Sequence, residues 1–193
     1  ACLAGGWFLL AHSSSLTWAP QNVSLLNQRL RLALLSLLPF GLLLFLNRQP
    51  LRSARLGREL LGPGLQMALA LAFLSIFLRG KFMTIFAGLS AEQVRGLFLW
   101  LGLALSEEAV QRGYLQARLE AWLGTRNGWL LSSLLSVVWQ LPLWLFATSW
   151  PQLALFAGLS FVQALLLGWM ARRTGHILAP ALWRAVSGWL WMV

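Results

Sequence analysis

Apolar runs at Leu30–Leu46, Leu60–Leu78, Trp129–Thr148, Pro151–Ala171 and Ile177–Val193, parted by short polar stretches, decide what this chain can become. Each reaches about 17 residues or more, the length that crosses a bilayer as a helix. A backbone in hydrocarbon must satisfy its own hydrogen bonds, and a helix does so within one segment. The sequence therefore predicts an all-α, multi-pass transmembrane helical bundle. Pro39 is expected to kink the first run, GPG at 62–64 to break the second early, and Pro142 lies inside the third.

Composition agrees: 10% of residues are charged and 59% hydrophobic, against about 25% charged in a soluble domain. At this length a single membrane domain over 1–193 is expected, with N-terminal spans in 1–90 and the motif-bearing part at about 93–190. Residues 1–12 are apolar but too short to span, and His12 closes them. No basic region precedes this patch, so a signal peptide is not expected there. The stretch SSSLTWAPQN with Pro20 reads as turns, Phe82–Leu89 as re-entrant or interfacial, and GTRNG (124–128) as a turn after an amphipathic helix Arg112–Leu123. Cys2 is the lone cysteine, which excludes an intramolecular disulfide and a Cys₄ zinc site.

The net charge of +10 does not point to nucleic acid, because the basic residues lie between apolar runs rather than on a polar domain. Membrane lipids are the partners this pattern suits. Arg48, Arg52, Arg55 and Arg58, the stretch 112–126 and Arg172–Arg173 fall on one side if each run crosses once. The opposite loops hold only Arg79, Lys81 and Arg95. The positive-inside rule places the glutamate-bearing helix end and the ARRTG turn at the cytoplasmic face and the C-terminus outside, a scheme that Arg29 and Arg31 fit poorly. Trp18, Trp129, Trp150 and Trp189 read as interfacial anchors.

Two of the five acidic residues stand side by side, Glu107 and Glu108, at the end of an apolar run. A charge at membrane depth costs about 2.5–3.5 kcal/mol on insertion scales and marks either a site or a buried pair. Neighbours on a helix point about 100° apart, so the two carboxylates are not expected to share one small site. Glu108 and Arg112 are four apart and pair along one face. Glu107 then faces the interior, where dryness raises a carboxyl pKa and suits it to act as a general base on water. The alternative for the same residues is a structural ion pair that fixes helix register.

The stretches EEAVQRGYL (107–115), SSLLSVVWQLP (132–142) and GWMARRTGHILAPALWRAVSG (168–188) occur in order over the C-terminal half. Together they resemble the CPBP family of intramembrane proteases, the CAAX-type prenyl-protein endopeptidases and their relatives in bacteriocin processing and self-immunity. The resemblance implies an intramembrane helical fold. It also implies a zinc-dependent hydrolase in which the first glutamate of EExxxR activates water, with two histidines and an asparagine completing the site. Carried onto this chain, the retained motif is Glu107, Glu108 and Arg112. The first histidine falls on Gln140, the aromatic four residues before it on Ser136, the second histidine on Arg184 and the asparagine on Gly188.

The acid half of that site is present and the ligand half is replaced. A catalytic zinc needs about three protein ligands; Gln140 is a poor one, and Arg184, always protonated, is none. No metal or other cofactor is therefore expected. His176 lies about 12 Å along a helix axis from Arg184 and reads as a polar boundary residue, while His12 has no family counterpart. Arg184 is expected to neutralise Glu107 in an interhelical bridge; the other use open to it is to snorkel to a headgroup.

The residues thus suggest a non-catalytic member that binds a membrane protein, a lipidated peptide or a lipid as a scaffold or assembly factor. The alternative is an active endopeptidase in which Glu107 and Gln140 hold water and Arg184 stabilises an oxyanion. A small transporter or channel would spread polar residues over more spans. Gly128, Ser132, Ser133, Ala157, Gly158 and Ser160 give close-approach faces, for internal packing or for a partner.

Overall fold

The computed structural model describes residues 23–46, 48, 51–57, 60–144 and 149–193. The expectations for Cys2, His12, Trp18, Pro20, Arg58 and Thr148 lie outside them. The regular elements are helical: α1 (Val23–Leu46), a 3₁₀ turn (Leu51–Ala54), α2 (Leu61–Leu78), α3 (Phe82–Ala87), α4 (Ala91–Glu108), a π-helical turn (Ala109–Leu115), α5 (Gln116–Leu123), α6 (Thr125–Trp144), α7 (Trp150–Thr174) and α8 (Leu178–Trp189). No strand occurs among the described residues.

Local chemistry explains most boundaries. Ser90 caps α4 reciprocally with Gln93: Ser90 Oγ accepts from the Gln93 N–H at 3.2 Å, and Gln93 Oε1 accepts from the Ser90 N–H at 2.9 Å. Pro151 stands in the first turn of α7, where a missing N–H costs nothing. Contrary to the expectation from sequence, GPG at 62–64 does not break the second run; it forms the first turn of α2, for the same reason. Helix α1 runs through Pro39. The stretch 124–128 is not a five-residue turn: Gly124, at φ 81°, makes the whole connection and α6 starts at Thr125. Gly128 then lies so close to α5 that a Cβ there would overlap the backbone of Leu119 and Glu120.

Helices α2 and α7 are long and apolar enough to cross a membrane, and only 11% of the crossing window of α2 is buried. Such a helix in a water-soluble core would be covered; α2 instead exposes Leu65, Leu69, Phe73 and Phe77. Lipid is the solvent that suits that surface. The final run falls short of the span expected over Ile177–Val193. It is helical over Leu178–Trp189, 12 residues or about 18 Å, and its Ala179, Pro180, Ala181, Ala185 and Trp189 are buried. Helix α8 therefore serves as a core element, packed against both α2 and α4, with α1 also packed on α4 and with α5, α6 and α7 packed in sequence. Trp183 Nε1 donates to Ser75 Oγ (3.1 Å) and Trp189 Nε1 to the Gln93 carbonyl (2.8 Å), fixing α8 to α2 and to α4.

Candidate functional site

The glutamate pair ends α4 in full burial, and the helix widens into its π turn immediately afterwards. π turns inside α-helices recur at functional sites. Gly113 lets the connector between α1 and α2, which carries the 3₁₀ turn, approach this π turn, since a Cβ there would stand 2.6 Å from the Ala54 carbonyl. Arg112 Nε lies 3.4 Å from Glu108 Oε2, so the i,i+4 pair expected from sequence forms.

Arg184 reaches in from α8. Its Nη1 donates to Glu108 Oε1 at 2.8 Å and its Nη2 pairs with Glu107 Oε2. The bridge to Glu107 is the one the sequence suggested; the bond to Glu108 corrects the expectation that the two carboxylates cannot share a site. They start about 100° apart on the helix, but a guanidinium fork offers nitrogens to both at once.

Glu107, Gln140, Arg184 and Gly188 line one cavity of about 340 Å³. Three motif stretches distant in sequence thus converge on a single space. Gln140 Nε2 donates to the Ser136 carbonyl (3.2 Å), and Ser136, in the aromatic position, is buried with Oγ donating to the Ser132 carbonyl (2.8 Å). Gly188 faces the Trp100 ring, with Cε3 and Cζ3 at 2.7 Å from where its Cβ would be. Arg29 lines the same cavity and interacts electrostatically with Glu107. Arg29 fitted the loop-charge scheme poorly because it belongs to the site. An ionisable residue at the very start of an apolar run was the available signal. Gln163, Ser187 and Trp100, also in the lining, gave no such signal.

His176 is only 5% exposed and lies outside this cavity. Its Nδ1 accepts the Leu178 N–H at 3.0 Å, satisfying a donor in the first turn of α8. Burial pushes its pKa below the ordinary 6.5. A base with a depressed folded pKa contributes stability that is complete above about pH 6.5 and is lost as pH falls below it. The melting temperature in detergent should therefore drop between pH 7 and pH 5. His176→Asn, which keeps a capping acceptor but does not titrate, should flatten that part of the profile; an unchanged drop would assign it to another group.

The fold and site define a helical integral membrane protein with a buried, arginine-clamped carboxylate pair. The chain belongs to the family described as Type II CAAX prenyl endopeptidase Rce1-like, whose sequence profile matches residues 90–190, just over half of it. No curated protein and no solved structure matches it. The zinc ion that the resemblance implies does not fit the donors present. Both carboxylates already engage a guanidinium, the two histidine positions hold an amide and a permanent cation, and the described residues contain no group of three His, Cys, Asp or Glu side chains able to hold a metal.

Proposed function

We propose that this chain is a non-hydrolytic member of its family, a single membrane domain that holds a lipidated peptide or another membrane partner in the retained cavity without cutting it. The observation that carries this reading is the Arg184 clamp. A guanidinium bonded to both Glu107 and Glu108 holds the carboxylate that would otherwise activate water, Glu107, together with its neighbour. Arg29, Arg112 and Arg184 against Glu107 and Glu108 leave surplus positive charge around the site. Beside it stand the apolar walls of Trp100, Leu103, Leu159, Val162 and Leu166. An amphiphile with one anionic end, such as a lipidated peptide with a free carboxylate, complements both features. The bundle end that carries Arg172 and Arg173 faces the cytoplasm in this reading, by the positive-inside rule.

The test is metal content and peptide cleavage by the purified protein after zinc exposure and washing, beside Glu107→Ala. The expected result is no metal above that control and no Glu107-dependent cleavage of a prenylated CAAX-type peptide. Stoichiometric zinc lost in the control, or cleavage that needs Glu107, would replace this reading with that of an active endopeptidase.

A further inference from the structure

A second cavity, of about 460 Å³, lies where the connector, α5, the start of α6 and the end of α7 meet. Arg55, Glu120, Thr125, Trp169, Arg172 and Arg173 line it, and none of them lines the first cavity. Glu120, its one carboxylate, is fully engaged: Arg55 Nη2 lies at 2.5 Å from Oε2, and Gln116 Nε2 at 2.7 Å and Arg172 Nε at 3.7 Å from Oε1. One carboxylate against Arg55, Arg172 and Arg173 leaves the lining positive.

Two of the three cations are also held in place. Arg55 is largely buried by its pairing, and the Arg172 guanidinium lies over the Trp129 ring, 5.5 Å from its centroid. Arg173 is exposed and pairs with no carboxylate among the described residues. Thr125 opens a 20-residue helix, which sets the positive end of the α6 dipole at the cavity wall. Trp169, 45% exposed, adds an indole of the kind that sits at headgroup depth. Prepositioned arginines, a helix N-terminus and an interfacial tryptophan around one opening call for a phosphate group.

We propose that this cavity binds a phosphate-bearing anion, the headgroup of an anionic phospholipid or free phosphate, independently of the site at Glu107. Phosphatidylglycerol, phosphatidylcholine and inorganic phosphate, titrated separately onto the detergent-solubilised protein and read by native mass spectrometry and melting temperature, test it. Phosphatidylglycerol should bind at least about tenfold more tightly than phosphatidylcholine. Arg173→Gln should weaken it about fivefold and the double variant with Arg172→Gln about 25-fold, from about 1 kcal/mol per arginine at an anionic surface. Arg95→Gln, on the first turns of α4, should leave binding unchanged. Because Arg173 is exposed, its variant should melt as the parent does. Displacement of the lipid by millimolar phosphate, with phosphate alone raising the melting temperature, identifies a free anion as ligand; lipid binding that resists phosphate identifies a headgroup. Equal affinity for the two lipids with no response to phosphate, or binding indifferent to Arg173→Gln, overturns the proposal.

Discussion

Glu108→Gln should cost the folded bundle more than Glu107→Gln, although Glu107 is the residue to which the family resemblance gives the chemistry. Glu108 is 0% exposed and stands between two guanidinium groups, Arg112 Nε at 3.4 Å and Arg184 Nη1 at 2.8 Å. Making it neutral leaves Arg112, itself 1% exposed, with no ion-pair partner among the described residues. Breaking a buried pair by removing one partner costs about 3–5 kcal/mol, because the surviving charge stays desolvated. Glu107→Gln still leaves Arg184 bonded to Glu108, so its loss should be about half as large. Unfolding in detergent micelles measures both; losses in the reverse order would mean that Arg112 finds its compensation elsewhere. The double variant Glu107→Gln with Arg184→Gln should lose less than the sum of its single losses, by about 0.5–3 kcal/mol. Additive losses would show that Arg184 and Glu107 do not interact.

The ion cluster was legible in outline. In a chain with so few acidic residues, two together beside an arginine four positions on mark either a site or a buried pair, and Arg184 entered as their partner only through the family resemblance, which sets position 184 opposite the carboxylates. Sharing was not legible, because helix geometry fixes where side chains start and says nothing of how far a forked cation reaches. The expected spans fared unevenly for a related reason. An apolar run such as Ile177–Val193 looks the same whether it meets lipid or protein, and only packing shows that α8 buries its alanines inside the bundle. His176 likewise read as a boundary residue, since a cap made by Nδ1 depends on the backbone of α8 turning back toward it. Arg29 was visible as a misfit in the charge pattern, and its role followed once α1 was placed against α4.

Gly188→Asn, which restores the side chain the family resemblance would put there, should destabilise the bundle. The reason is the Trp100 ring, two of whose carbons would lie 2.7 Å from a Cβ at position 188. Trp100 is 6% exposed and packs with Leu103, Ala185 and Trp189, which hold its ring against position 188 on the side away from the cavity it lines. Overpacking of this kind costs about 1–3 kcal/mol and occasionally more; a branched polar side chain against a buried indole belongs at the upper end. Trp100→Leu alone should also destabilise, by leaving a cavity. Combined with Gly188→Asn it should recover at least half of the asparagine's cost, so the two losses should be strongly non-additive. Unfolding midpoints of the four proteins decide the point, and additive losses would show that the ring moves aside without cost. Non-additivity would tie the missing asparagine to the tryptophan that fills its place. Gly188 and Arg184 stand one turn apart on α8 and line the same cavity. Trp100 walls off the space beside Gly188 while Arg184 clamps the carboxylates, so the two replacements support each other and reversing either one alone meets resistance from the packing around it.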